Sequence, residues 1–307
     1  MSECKGCCGH GKLGLDSDLN VARGRKEQRR PMKRQHPVLS ICIPTYNRLP
    51  YLRELLGFLF PQIDLVGKGV VELVVSDNVS TDGTADYLRS MRKAYLRWWT
   101  NETNIGGDRN FLKCIQEAEG DYVWLVGDDD LIASDAVARV LRCVEDLNPG
   151  LLIADIGSHH PLSGFGVYAD YRDYLVRECA CAADSALRHT LISSNIFLRS
   201  SFDMDLAIRS LRTQYAHMFG LMGRAFGKVV VTGGIVSTRP VRADFAKYPS
   251  FLCVKQALYF WFLAKRFNLP RFRWYAFLNA CNLPMEFGSR VKYYLGKALG
   301  LRRRDMK

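Results

Sequence analysis

Apolar positions along the chain switch between two periods in a repeating order. Val38–Ile43 is a short continuous apolar run that stops at Pro44, which predicts a buried strand. Leu52, Leu55, Leu56 and Leu59 then recur at helical spacing. Val70–Val75 (VVELVV) reads as a second buried strand and ends in SDNVSTDGT, a stretch dense in turn and N-cap residues. The same reading predicts a helix over 84–92, a strand over 96–99 and a helix over 107–119 with Phe111, Leu112, Ile115 and Ala118 on one side. A strand over 122–126 follows, then a helix over 134–147 stopped by Asn148-Pro149-Gly150, then a strand over 151–154. Strands alternating with helices predict an α/β fold whose mostly parallel sheet is flanked by helices. Ligands of such sheets bind outside the carboxyl ends of the strands.

Beyond residue 155 the pattern weakens. HHPLSGFG is loop-like, 187–198 holds an apolar NIF segment next to Ser193-Ser194, and 228–231 is a β-branched strand candidate. From Tyr248 onward the chain is aromatic and basic, with 14 aromatics and twelve Lys/Arg against two Asp/Glu. That composition suits a helical segment lying on an anionic membrane surface, or core helices with a charged exterior.

Composition narrows the class. The 307 residues are 48% hydrophobic and 24% charged, which excludes global disorder and small disulfide scaffolds. The longest apolar run, 257–264, is far below the roughly 20 residues that a spanning helix needs. No apolar stretch follows the basic N-terminal residues, so a cytoplasmic location without a secretory signal is expected. The net charge of +12 divides into +5 over residues 1–36, −6 over 37–150 and +13 over 151–307. The acidic part cannot be a nucleic-acid surface, while the basic part calls for an anionic partner. Residues 1–36 are polar and aperiodic and are expected to form a disordered basic tail. Cys4, Cys7, Cys8 and His10 in that tail lack the second half of a zinc site, and Leu13 spoils a phosphate-loop reading of Gly6 to Lys12. Cys42, Cys114 and Cys143 sit in apolar runs and read as small buried hydrophobes.

The polar motifs fall at strand ends: PTYNR after the first, SDN after the second, NETN after the third and GDDD after the fourth. Asp128, Asp129 and Asp130 are the sharpest of these. Three adjacent carboxylates repel one another unless a cation neutralises them, and Mg²⁺ or Mn²⁺ uses one or two protein carboxylates completed by substrate phosphates. The plainer alternative is a solvated acidic turn capping the next helix. Asp77 can accept hydrogen bonds from a ligand N–H, or it can simply organise its turn. Tyr46 can stack on a base or pack a strand-to-helix corner. Asn101, Asn104 and the adjoining glycines suit close approach to a ligand, or a plain loop.

LSICIPTYNR, ELVVSDNVSTDGT, NIGGDRN and GDYVWLVGDDD, in that order, resemble the family 2 glycosyltransferases of the GT-A fold. The resemblance covers residues 38–155. LISSNIF and YAHMFGL are similar, over short stretches, to the bacterial abequosyltransferase-like branch. The resemblance implies a GT-A catalytic domain over 37–247, with a nucleotide-sugar half at 37–155 and an acceptor half at 156–247, followed by a basic aromatic helical region at 248–307. It implies that Pro44, Tyr46 and Asp77 surround the nucleotide base, that Asp128 lies near ribose and metal, and that Asp130 holds Mg²⁺ or Mn²⁺ on the diphosphate. Arg48, Asn104 and Asp129, from the same motifs, complete the candidate nucleotide-sugar set. The implied activity is inverting transfer of a sugar from a nucleoside diphosphate donor to a glycan acceptor. A lipid-linked surface polysaccharide intermediate is the acceptor expected, met at the inner face of the cytoplasmic membrane.

The sequence departs from the family at the base, because the Glu-Asp pair of many members is absent from the second half. The matching stretch is Thr213-Gln214-Tyr215-Ala216-His217. His217 has the intrinsic pKa of a neutral-pH base, or it is a helix histidine packed among Met218 and Leu221. Asp155, ending the fifth strand, is the second candidate. Arg239 and Arg242 are candidates for phosphate contact or ordinary surface charges. Two rival functions remain at this level. A nucleotidyltransferase making nucleotide sugars would want a Gly-rich basic loop where PTYNR stands. A nucleic-acid-binding protein would use the basic half, but no nucleic-acid motif accompanies it, and no nucleic-acid partner is expected.

Overall fold

The computed structural model describes residues 36–156, 165–178, 192–211, 216–223, 227–237 and 261–269. The expected N-terminal tail, Arg239, Arg242 and most of the aromatic C-terminal region lie outside the described residues. The first half alternates as its pattern predicts: β1 (Leu39–Thr45), α1 (Leu49–Val66), β2 (Val71–Asp77), α2 (Thr84–Ser90), β3 (Leu96–Thr100), α3 (Gly107–Glu117), β4 (Tyr122–Leu125), β5 (Leu131–Ile132), α4 (Ala136–Leu147) and β6 (Leu151–Ile156). Then come β7 (Gly166–Tyr168), α5 (Tyr171–Glu178), β8 (Asn195–Leu198), α6 (Met204–Arg209), α7 (Ala216–Gly223) and β9 (Val229–Ser237).

One sheet carries all nine strands in the order β3-β2-β1-β4-β8-β6-β9-β5, with β7 also on β9. Its backbone is parallel between β1 and β2, β1 and β4, β2 and β3, and β6 and β9. β8 runs antiparallel between β4 and β6. The fifth long strand of the sequence reading therefore does not neighbour the fourth. A strand from the NIF segment separates them, and at four residues it is too short to show a period. The two-residue β5, paired with Val236 and Ser237, likewise takes the residues before α4, which starts at Ala136 rather than Ser134.

Side chains on a strand alternate faces, and the core is split accordingly. Leu39, Ile41, Ile43, Leu73, Val75, Trp124 and Leu152 pack against Leu52, Leu55, Leu56 and Leu59 of α1 and Val137 and Val140 of α4. Cys42, Val74, Val123, Leu125 and Ile153 face the other way, against Leu112 and Ile115 of α3, Tyr174 of α5 and Met218 of α7. The two buried layers fix the strand register, and with it the edge at which β1, β2, β3 and β4 release their polar loops. Cys42, Cys114 and Cys143 are buried, as small hydrophobes would be, and burial pushes their thiols up, those of Cys114 to about 12 and of Cys143 to about 11. Among the described residues, no helix is long and apolar enough to cross a membrane.

Candidate active site

The site is built on the carboxyl ends of adjacent strands. β4 ends at Leu125, and the chain turns sharply through Gly127 into Asp128-Asp129-Asp130, with Asp130 N–H donating to the Gly127 carbonyl at 3.2 Å. A Cβ on Gly127 would lie 2.7 Å from the Asp130 carboxylate, so the aspartate side chain folds back across bare backbone and a larger residue there would push it aside.

The three carboxylates have different surroundings. Asp128 is buried, 4% exposed. Thr45 Oγ1, at the end of β1, donates to it at 2.7 Å. The Arg48 guanidinium, at the start of α1, donates to it at 3.0 Å and to Asp129 at 2.9 Å. Burial pushes the Asp128 carboxyl up to about 6, against the lowering pull of Arg48 and Thr45. Asp130 is half-buried, and burial raises its carboxyl too, with the Ser193 hydroxyl that donates to it working the other way. One arginine thus faces three carboxylates, and it bonds the first two.

Beside this turn, the β1 and β2 loops are laced together. Asn47 N–H donates to Ser80 Oγ at 2.8 Å, and Thr81 N–H to Asn47 Oδ1 at 2.7 Å. Asp77 is fully buried, and its oxygens accept from Ser80 N–H and Thr100 Oγ1, both at 3.0 Å. Val79 between them has φ +68°, a strained backbone for a β-branched residue that only an over-determined loop maintains. Pro44 is buried inside β1, whereas Tyr46 beyond it is 46% exposed.

An asparagine network then ties β2 to the NETN loop. Asn78 Nδ2 donates to Asn104 Oδ1 at 2.8 Å, and Gly106 N–H donates to the same oxygen at 3.0 Å. Asn101 Nδ2 reaches Asn78 Oδ1 at 3.1 Å and Asn110 Oδ1 at 2.9 Å. Lys113 Nζ caps Asn101 Oδ1 at 2.7 Å. A cavity of about 660 Å³ opens next to this loop, lined by Trp99, Asn101, Glu102, Lys113 and Glu117. It lies at the β3 edge, three strands from the aspartate turn, so the carboxylates are not in it.

The base candidates fare differently. His217 lies in α7, 9% exposed, with its ring edge-on to Phe111 of α3 at 6.2 Å. The next residue, Met218, accepts from Asn195 Nδ2 at 3.9 Å. Asn195 starts β8 beside the end of β4, which brings α7 to the aspartate edge. Asp155 lies on β6 in register with Gly233; its side chain is outside the described residues. The sequence reading missed Ser193 as a site residue. It precedes β8, is fully buried and bonds both the Gly127 backbone and Asp130. Its sequence signal is the Ser193-Ser194 pair before NIF.

Comparison with known proteins agrees with this architecture. Residues 40–175 match the family model "Glycosyl transferase family 2". Abequosyltransferase RfbV of Salmonella typhimurium is 38% identical over 125 residues, 38% of this chain and 35% of that protein. Poly(ribitol-phosphate) β-N-acetylglucosaminyltransferase TarS of Staphylococcus aureus is 32% identical over 122 residues, 37% of this chain and 20% of that one. The matches thus span about a third or less of these relatives' own length. In fold, the chain is similar to S. aureus TarS 1–349 in complex with UDP, with TM-score 0.53, 22% identity, and 81% and 76% of the two chains covered. It is also similar to mannosyltransferase PcManGT from Pyrobaculum calidifontis in complex with GDP-Man and Mn²⁺, with TM-score 0.50, 16% identity, and 94% and 87% covered. The fold is the GT-A fold, and residues 40–175 of this chain are similar to glycosyl transferase family 2.

Proposed function

We propose that the protein is an inverting, divalent-metal-dependent glycosyltransferase that moves a sugar from a nucleoside diphosphate donor to a glycan acceptor. The observation that carries this reading is the three-aspartate turn, held by Arg48, Thr45 and Ser193 at the same sheet edge as the Tyr46, Asp77 and Asn104 loops. Relatives that match part of the chain are named as an abequosyltransferase and a poly(ribitol-phosphate) β-N-acetylglucosaminyltransferase.

The donor set fits a hard divalent ion. It is all oxygen, and burial disfavours the charge on Asp128 and Asp130, so a cation gains by binding there. In this reading one or two carboxylates would hold the ion, with diphosphate oxygens completing its shell. Asp130 is the ligand in this reading. Asp128 already uses one oxygen on Thr45 and the other on Arg48, so it serves the ribose side and contributes charge. The ion supplies charge neutralisation for the departing diphosphate. Tyr46 and the Asp77 loop hold the base of the nucleotide, and Asn104 stiffens the loop next to it. His217 takes the proton of the acceptor hydroxyl as that oxygen attacks the anomeric carbon from the side opposite the diphosphate. Asp155 is the alternative base. The acceptor is a lipid-linked glycan, and residues 248–307 keep the enzyme on the anionic cytoplasmic face that carries it.

The test is a panel of nucleoside diphosphate sugars, scored by release of nucleoside diphosphate with and without glycan acceptors and with Mn²⁺ or chelator. Acceptor-stimulated, chelator-sensitive release from one donor class is expected. Release that ignores both acceptor and chelator with every donor would exclude the reading.

A further inference from the structure

Ser193 is held by three contacts, one on its carbonyl and two on its hydroxyl. Trp124 Nε1, from β4, donates to the Ser193 carbonyl at 2.9 Å. Gly127 N–H donates to Ser193 Oγ at 2.8 Å. The Ser193 hydroxyl meets the Asp130 carboxylate. A hydroxyl has one proton and two lone pairs. With the amide donating into a lone pair, and a carboxylate able only to accept, that proton points at Asp130. The residue is fully buried, so water does not substitute for it. Its place is fixed further by β8, which continues from Asn195 and is hydrogen-bonded to β4 and β6 on its two sides.

We infer that Ser193 is a positioning residue: it sets the carboxylate of Asp130 in the orientation that binds the metal, and so couples the chain's second half to the nucleotide half. The inference rests on the reading of Asp130 as a metal ligand. One carboxylate oxygen is pinned over Gly127 by the serine, and the other is thereby aimed away from that bond. The same short segment reaches α7 two residues later through Asn195 and Met218. The helix bearing His217 and the aspartate turn therefore hang on one strand entry. This gives LISSN, singled out in the sequence, a mechanical role.

The test measures Mn²⁺ binding directly, by loss of the free-ion electron paramagnetic resonance signal, in the presence of uridine diphosphate and of guanosine diphosphate. Ser193→Ala should weaken Mn²⁺ binding by about 10-fold or more, the range for losing a group that orients a metal ligand. Ser193→Thr, which keeps the hydroxyl, should recover most of it. In an Asp130→Asn background, Ser193→Ala should have no further effect, because the ligand it orients is already gone. Ser193→Cys, close in volume but a weak donor, replaces the alanine variant if that one does not fold, and should lie between alanine and wild type. Equal Mn²⁺ affinity in Ser193→Ala and wild type, or an undiminished effect in the Asp130→Asn background, overturns the inference, as does wild type that binds no Mn²⁺ with either nucleotide. None of these readouts requires the donor sugar or acceptor, so a wrong substrate assignment fails the donor panel alone.

Discussion

Two buried acidic clusters sit at opposite ends of the same sheet, and they are treated differently. At the amino ends of the strands, Glu72 of β2 is 4% exposed. It accepts from Ser40 Oγ, from Glu119 N–H at 2.6 Å and from Gly120 N–H at 3.3 Å, and it pairs with Arg97 of β3 at 2.8 Å. A Cβ on Gly120 would lie 2.7 Å from the Ser40 backbone, so the turn closes tightly around the carboxylate. The buried Glu72 thus has four donors, and Arg97 also pairs with the exposed Glu119 at 2.7 Å. At the carboxyl ends, three carboxylates share Arg48, Thr45 and Ser193. Glu72 is closed off, with its charge answered from inside the fold, and its acidic neighbours lie out in solvent. The second cluster keeps an excess of negative charge at an edge where loops meet solvent. Such an imbalance is expensive to maintain and persists where a ligand completes it.

The contrast predicts opposite consequences for similar substitutions. Glu72→Leu should have the largest effect on folding, about 1–3 kcal/mol, since it takes the acceptor from Glu119 N–H and from the buried Ser40 hydroxyl. Urea unfolding measures it, and the fraction that stays folded should transfer sugar at the wild-type rate. A loss under 1 kcal/mol would show that the closed cluster is not a structural lock. Asp130→Asn should do the reverse. The amide oxygen still accepts from Ser193, so unfolding should move by less than about 1 kcal/mol. Turnover should fall by about 10²-fold or more, as expected when a group stabilising transition-state charge is lost. Next in size is His217→Ala, which should depress turnover by about 10²-fold with donor binding retained. Near-normal turnover would make His217 a packing partner of Phe111 and leave Asp155 as the base. The smallest effect concerns attachment. The intact protein should sediment with anionic vesicles and less with neutral ones, weakened but not abolished by salt that shortens the Debye length below about 8 Å. Recovery in the supernatant at low salt would remove the membrane from the account.

Much of this was legible in the chain, for reasons tied to particular residues. β1, β2 and β4 read correctly because they are buried on both faces and so appear as unbroken apolar runs. Pro44, Asp77 and Asp128 could be placed at one edge because parallel strands must all end there. The partners of those residues were not legible. Arg48 meets Asp128 and Asp129 across 80 residues of chain, and only the sheet order brings them together. β8 escaped because four residues carry no period, and with it the role of Ser193, which LISSNIF marked only as a stretch similar to known relatives. The asparagines at 78, 101, 104 and 110 were visible as turn formers, but their bonding to one another depends on how the β2 and β3 loops pack.

The central claim is that Asp130 and its neighbours hold a divalent ion against a donor diphosphate. The direct measurement is Mn²⁺ anomalous scattering from crystals of the protein grown with Mn²⁺ and a nucleoside diphosphate. The account predicts one peak within about 2.3 Å of an Asp130 carboxylate oxygen, shared with the diphosphate and absent in Asp130→Asn. A nucleotide bound at this edge with no peak at Asp130, or a peak held by other residues, would contradict it.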